Sequence, residues 1–409
     1  LLWIFRVFSV LSDLYFSSAV VGAIALILLA TQLPALAILL SRLLQGPGRL
    51  PPLLPQAATP DVMGAVSVVV PTLNEAHRLS PCLAGLNRQS YELREVLVVD
   101  SHSTDGTGGL VKQTQRYDPR FRLMHDDPLP AGWVGRPWAL HTGFLHTSAN
   151  SEWILGMDAD TVPQPGLIAS LIATASAGEY DLVSLAPQFI LKHPGEWWLQ
   201  PALLMTLLYR FGPAGAGGNG SERVMANGQC FLVRRSLLAQ LGGYVSARSS
   251  FCDDVTLARV AASQGAKVGF LDGSRLLKVR MYDSAGETWR EWGRSLDLKD
   301  ACSPAQKWGD LGFLLAVQGL PWMVTPALVS IFWLGYDSLL LRLAIALNLL
   351  LILIRIAMQW AILPSYDQTA GKASWAFWLS PLADPLAVLR IFLSSIHTPT
   401  QWRGRRYEV

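Results

Sequence analysis

The chain has 409 residues, of which 51% are hydrophobic and only 15% charged. Soluble domains carry about a quarter charged residues, so this balance excludes an ordinary soluble enzyme and calls for membrane segments. The net charge of +3 arises from scattered Lys and Arg rather than a basic stripe, so no nucleic-acid partner is expected.

The chain opens on Leu-Leu rather than Met, which reads as an alternative start codon or a trimmed end. Its first stretch, LLWIFRVFSVLSDLYF, carries Arg6 and Asp13 and suits the start of a tilted helix or an interfacial piece. From Ser17 to Leu40 no residue is charged. At 1.5 Å per residue such a helix exceeds the roughly 30 Å hydrocarbon core, so it reads as a span and not as a cleaved leader. The run GPGRLPPLLPQAATP that follows reads as a linker.

Next come two β-branched runs, Val66 to Val70 and Val96 to Val99. Short apolar runs without alternation fit strands of a parallel sheet covered on both faces. Between them Leu79, Leu83 and Leu86 fall at helical spacing, which completes a βαβ unit. The runs end in PTLNE and DSHSTDGT, and open α/β sheets bind ligands at such strand ends. Glu75 and Asp100 can accept hydrogen bonds from a ribose or a base, whereas Ser103 and Asp105 are equally suited to capping the next helix.

A third strand, Trp153 to Leu155, runs into GMDADT. Asp158 and Asp160 lie one residue apart, and like charges that close raise each other's pKa unless a partner offsets them. A divalent cation, Mg²⁺ or Mn²⁺, resolves the conflict because it takes hard carboxylate oxygens and also bridges diphosphates. Upstream, GWVGRPWALHTGF puts Arg136 in a loop before a helix, where a guanidinium can meet a phosphate. Downstream, Asp253 and Asp254 precede VTLARVAASQG, where one acid suffices for capping or orienting and the other is available as a general base.

Taken together, VSVVVPTLNE, VLVVDSHSTDGT, GRPWALHTGF, ILGMDADT and FCDDVTLARVAASQG resemble the inverting glycosyltransferases of family 2. The resemblance covers about residues 64 to 300 and implies an α/β GT-A domain with a mixed, mostly parallel sheet and flanking transmembrane helices. It implies that Pro71, Glu75 and Asp100 hold the base and ribose of a nucleotide-diphosphate sugar donor. Asp158 and Asp160 would form the metal motif, with Asp158 also on the donor, and Asp254 would be the base of an acidic pair in which Asp253 replaces Glu. Asn227-Gly-Gln229 resembles the segment on the acceptor side. The stretch WREWGRS stands where processive polysaccharide synthases carry Q-x-x-R-W but does not match it, which points to addition of one sugar. Arg290 and Arg294 there are expected over the diphosphate, with Trp292 stacking on acceptor or on the membrane interface.

Residues 196 to 211 are apolar at nearly every position between aromatic anchors, too short to span, and are expected to lie in the membrane interface; a buried core helix is the other reading. The acceptor is then expected to be a membrane lipid. The combined pattern, including RMYDSAGETWREWGRSLDLKD, resembles the family branch associated with carotenoids and hopanoids. A hydroxylated carotenoid, giving a glycoside of the myxoxanthophyll kind, is the preferred acceptor. A hopanoid or other lipid, a polysaccharide, and a catalytically dead scaffold are the alternatives. Donor sugar, base and oligomeric state are not written in the sequence.

Toward the C-terminus, 311 to 336 is uncharged and 338 to 364 carries only Arg342 and Arg355, giving two further spans. The stretch 374 to 396 is interrupted by Pro381, Asp384, Pro385 and Arg390 and suits a re-entrant or interfacial segment. Arg42, Arg49 and the tail's Arg403, Arg405 and Arg406 ask to be cytoplasmic, a parity that one plus two spans satisfies. The expected organisation is therefore a membrane segment (1–45, main span 17–40), a linker (46–62), a cytoplasmic catalytic domain (63–305), a C-terminal membrane region (306–400) and a basic tail (401–409). A bacterial plasma membrane or a cyanobacterial membrane would hold it. Cys82, Cys230, Cys252 and Cys302 lie far apart with no CxxC spacing, so neither a zinc site nor a disulfide framework is indicated and they read as reduced thiols. Asn219-Gly-Ser fits a glycosylation sequon, which a cytosolic loop would leave unmodified.

Overall fold

A computed structural model describes residues 18–409 except 218–219, 293–295, 297, 370, 372, 398–400, 403–404 and 407–409, and only the backbone of 401–402 and 405–406. The N-terminal stretch with Arg6 and Asp13, the Asn219 sequon, Arg294 and the tail's Arg403 lie outside the described residues. After α1 (Ser18–Leu43), the α/β part runs β1 (Val66–Thr72), α2 (Ala76–Asn87), β2 (Leu93–Asp100), α3 (Thr107–Tyr117), β3 (Phe121–His125), α4 (Gly135–His146) and β4 (Trp153–Met157). It continues through β5 (Thr161–Pro163), α5 (Leu167–Ala177), β6 (Leu182–Ala186), β7 (Gln188–Phe189), α6 (Pro194–Phe211), β8 (Cys230–Arg234), α7 (Arg235–Gln240), α8 (Asp253–Ser263), β9 (Val268–Asp272) and β10 (Leu277–Val279).

Seven strands form one sheet in the order β3-β2-β1-β4-β8-β6-β9. All neighbours are parallel except β8, which runs antiparallel to both β4 and β6. The register sets Thr72 opposite Asp100 and Val69 opposite Gly156, so the polar ends of β1, β2 and β4 share one edge. A small sheet of β5, β10 and β7 sits just beyond it. The β-branched residues have the expected consequence, since Val66, Val68, Val70, Val96 and Val98 are all fully buried. One face packs on α2 and α5 through Leu79, Leu86, Leu167 and Leu171, the other on α4, α7 and α8 through Leu140, Leu238 and Leu257. Gly143 lets α4 press onto the sheet, because a Cβ there would overlap Val69 Cγ1.

The Pro-rich stretch is docked rather than free. Leu50 N donates to Gly215 O at 2.9 Å, Leu53 N to Asp272 O at 2.8 Å, and Gln56 N to Ser170 Oγ at 2.9 Å.

Among the described residues four helical runs are long and apolar enough to cross a membrane: Ser18–Gly48, Pro304–Trp333, Leu339–Ser365 and Ser374–Ile396. The second comprises α9 (Pro304–Leu314), a π-helical turn and α10 (Leu320–Trp333); the third contains α11 (Leu339–Ile362). The last is a 3₁₀ stretch, Ser374–Ala383, that turns into α12 (Asp384–Ile396), so by length and composition it is as eligible to cross as the others. Its interrupting charge is compensated: Arg355 Nε donates to Asp384 Oδ2 at 2.7 Å, with both side chains fully buried. Gln318 also donates to Asp384, at 3.2 Å. Charges this deep stay only when paired and hydrogen-bonded.

One expectation is corrected here. The segment 196–211 does not lie open on an interface but is the inner part of a buried helix, α6, with Trp197, Leu203, Met205 and Tyr209 fully covered. The stretch Ser374–Ala383 packs along it, and α12 and α1 add further contacts. Full burial of such a side chain contributes about 1.5–3 kcal/mol, so protein covers this face of the helix, while Leu204, Leu207 and Leu208 on another side stay partly exposed. Glu196 holds its start, accepting from Lys192 N and His193 N and from Arg280 Nη1 at 2.7 Å.

Candidate active site

A cavity of about 1070 Å³ opens at the edge where β1 and β4 end. Arg136, Asp158, Asp160, Asn227, Gln229, Asp253, Asp254, Arg290 and Trp292 all line it, although they come from segments spread over 157 positions of chain. Pro71, Glu75 and Asp100 do not line it; they stand at the ends of β1 and β2 beside it. Asp100 is buried and accepts from Thr72 Oγ1 at 3.3 Å and from Ser103, while Glu75 is buried at the start of α2.

The two nucleotide-type loops are knitted together. Asn74, in the left-handed region at φ 55°, donates its N–H to Ser103 Oγ at 2.8 Å and accepts from Thr104 N at 2.9 Å. Asp105, one residue before the N-cap Gly106, joins them: it accepts from Ala76 N at 2.9 Å, from Thr107 N at 3.0 Å and from Thr107 Oγ1 at 2.6 Å. Against the opposing effect of burial these bonds, the Thr107 hydroxyl first, hold its carboxyl below the usual range.

At the centre lies Arg136, at the start of α4. Its Nε donates to Asp158 Oδ1 at 2.9 Å, its Nη1 to Asp253 Oδ2 and its Nη2 to Gly228 O at 2.7 Å. Gly228 lies directly beneath it, and a Cβ on residue 228 would overlap the guanidinium and force it to shift. Burial opposes the charge, yet Asp158, Asp253 and Asp254 outweigh it and raise the Arg136 pKa. Asp253 therefore does not cap α8; it orients Arg136. Burial, offset by Arg136 but reinforced by Asp254 and Asp158, pushes Asp253 up to about 7.

Asp254 stands next to it, half-buried, in the first turn of α8. It accepts from Gly228 N through one oxygen and from Val255 N through the other at 2.9 Å, which fixes the plane of the carboxylate. Burial is the main cause of its raised pKa. Asn227 and Gln229 flank Gly228 and bond each other, Asn227 Nδ2 donating to Gln229 Oε1 at 3.0 Å. Trp292 and Arg290 sit on a π-helical turn, Thr288–Trp292, with Trp292 tilted against Phe189 at 5.9 Å.

The two aspartates of GMDADT differ. Asp158 is paired with Arg136, whereas Asp160 Oδ1 is buried with no hydrogen-bond partner. Burial first, and then Asp158, pushes Asp160 up to about 8. A buried carboxylate oxygen without a donor, beside a second carboxylate, fits a hard divalent cation. Among the described residues no group of three or more His, Cys, Asp or Glu surrounds such a site. The remaining ligands would have to come from a diphosphate and water, as Mg²⁺ and Mn²⁺ allow.

Sequence reasoning missed His77 and Arg78, which line the cavity from the first turn of α2. Arg78 Nη1 donates to Met281 O at 2.7 Å and its Nη2 pairs with Glu287 at 2.9 Å, tying the segment after β10 over the cavity. The available signal was position: Arg78 lies three residues beyond Glu75, one helical turn on.

This arrangement, strand ends carrying two loops and an acidic pair beside a D-x-D, defines a GT-A fold. Residues 67–242 match the family model described as glycosyl transferase family 2. The chain is 24% identical over 235 residues to the 4,4'-diaponeurosporenoate glycosyltransferase of Staphylococcus haemolyticus, a match covering 57% of this chain and 61% of that protein. It is 32% identical over 111 residues to the undecaprenyl-phosphate mannosyltransferase of Micrococcus luteus, covering 26% and 42% respectively. The chain therefore spans under two thirds of these relatives. The mannosyltransferase PcManGT of Pyrobaculum calidifontis, solved with GDP-Man and Mn²⁺, is similar in fold, with a TM-score of 0.52, 22% identity and coverage of 90% of this chain and 99% of that one.

Proposed function

We propose that this protein is an inverting glycosyltransferase that moves one sugar from a nucleoside-diphosphate sugar to a hydroxyl of a membrane lipid, a hydroxylated carotenoid first among them. The observation that carries the reading is the convergence of Asp158, Asp160, Arg136 and Asp254 on one cavity at the carboxyl edge of the sheet. The family 2 match supports the reaction class, and the carotenoid in the name of the Staphylococcus relative supports a carotenoid acceptor, although that name is of a carboxylate and not of an alcohol.

In this reading Asp254, its plane fixed by the amides of Gly228 and Val255, takes the proton of the acceptor hydroxyl. The hydroxyl oxygen bonds the anomeric carbon from the face opposite the departing diphosphate. The bond from that carbon to the phosphate oxygen breaks, and its electron pair leaves with the nucleoside diphosphate. Arg136 and Arg290 face the space for the diphosphate, and Asn227 and Gln229 wall the acceptor side. Asp158 and Asp160 would hold Mg²⁺ or Mn²⁺, which when bound offsets charge on the diphosphate. Pro71, Glu75 and Asp100 stand beside the cavity, on the loops that would take the base and ribose.

The apolar helices suit attachment to a membrane, and Arg42 and Arg49 at and after the end of α1 favour a cytoplasmic catalytic domain. Deleting the gene in its host and comparing extracted lipids and pigments by mass spectrometry tests the function. Loss of one hexose or deoxyhexose from a carotenoid is the expected result; loss of a polysaccharide alone would refute it.

A further inference from the structure

We infer that the acceptor is an electrically neutral lipid alcohol whose apolar chain lies in a groove between α6, α11 and the end of α1. The inference rests on the transferase reading above and narrows its acceptor. Away from the aspartates the cavity wall is hydrocarbon: Leu204, Leu207 and Leu208 of α6, Met358 and Ile362 of α11, and Leu43 of α1. Leu43 is the last residue of α1, and Met358 and Ile362 belong to the last turns of α11. The groove thus sits where two helices of membrane length end, continuous with Asp254. A lipid can reach the carboxylate there while its chain stays against hydrocarbon.

Charge decides the head of that lipid. Among the described lining residues carboxylates outnumber arginines, and three of the arginines are already engaged. Arg49 lies 3.6 Å from Asp272, Arg78 pairs with Glu287, and Arg136 with Asp158 and Asp253. An acceptor phosphate or carboxylate would enter beside Asp253 and Asp254 as a like charge in a partly desolvated site. A neutral hydroxyl brings no charge. It also needs a base to give up its proton, whereas a phosphate monoester is already ionised.

The test uses the full chain in nanodiscs with Mn²⁺ and radiolabelled UDP-glucose and GDP-mannose. The acceptor probes are zeaxanthin, a polyprenol, and the monophosphate of that polyprenol. Transfer to a neutral alcohol at a rate at least tenfold above the monophosphate is expected. Leu207→Trp and, separately, Met358→Trp should raise the KM for the alcohol about tenfold or more, while Leu349→Trp, the same added bulk at an exposed position on α11, leaves the kinetics unchanged. Preference for the monophosphate, donor hydrolysis with transfer to neither lipid, or groove variants with wild-type KM would each overturn the inference alone. No hydrolysis and no transfer with either donor would defeat the transferase reading and the inference with it.

Discussion

Replacing Arg136 by Gln removes the cation that holds the acidic cluster together. Arg136 makes three hydrogen bonds, two of them to the carboxylates of Asp158 and Asp253, and its side chain is only 12% exposed. Charge-assisted bonds contribute about 1.5–3 kcal/mol each, and breaking a buried pair from one side costs about 3–5 kcal/mol because the other charge is stranded. Gln can keep one bond, so we take about 3 kcal/mol, or roughly 6–12 °C in the unfolding midpoint of a domain this size. The loss depends on pH with a definite sign. The folded pKa of Asp253 is already raised to about 7 against an ordinary 3.8, and losing Arg136 raises it further. A carboxyl raised on folding contributes stability that is complete below its unfolded pKa and is lost as pH rises through its folded pKa. The variant should therefore lag the wild type little at pH 5.5 and most at pH 8.5, both values chosen as about 1.5 units either side of that pKa. Thermal unfolding of the detergent-solubilised chain without divalent cations reads this. An equal deficit at both pH values, or none at 8.5, would refute the role given to the guanidinium.

Mn²⁺ binding followed by calorimetry should tighten by up to about tenfold per unit as pH rises from 6 toward 8, since Asp160, raised to about 8, must release its proton; Asp158→Ala should abolish most of the binding, and a flat profile would remove Asp160 from the ligand set. Gly143→Ala should destabilise by about 1–3 kcal/mol through overlap with Val69, read as a lower unfolding midpoint, and an unchanged midpoint would contradict the close packing of α4. Arg355→Leu should cost about 3–5 kcal/mol because Asp384 is stranded, and adding Asp384→Leu should recover most of it; a double variant as unstable as the single would show that the pair is not coupled.

Much of the domain was legible because local signals there are strong. The β-branched runs at Val66 and Val96 could only be buried strands, and PTLNE, DSHSTDGT and GMDADT could only follow from strands to one edge of the sheet. What the sequence hid is long-range pairing. The bonds of Arg136 to Asp158 and Asp253 span 22 and 117 residues of chain and leave no periodicity to find. Helix α6 was misplaced for a related reason: a run apolar on every side looks the same whether lipid or protein covers it. The charge at Asp384 argued against a span only while it was considered without Arg355. Their salt bridge joins two helices 29 residues apart, and makes Ser374–Ile396 as apolar in effect as its neighbours.

The central claim is that Asp254 takes the proton of a lipid hydroxyl during sugar transfer, and Asp254→Asn tests it most directly. Asn keeps the shape and an acceptor for one of the two amides but cannot take up a proton. With membrane lipid extract, a radiolabelled nucleotide sugar and Mn²⁺, transfer by the variant should fall by about 10²–10⁴ while nucleotide affinity stays within about threefold of wild type. Wild-type turnover in Asp254→Asn would contradict the account.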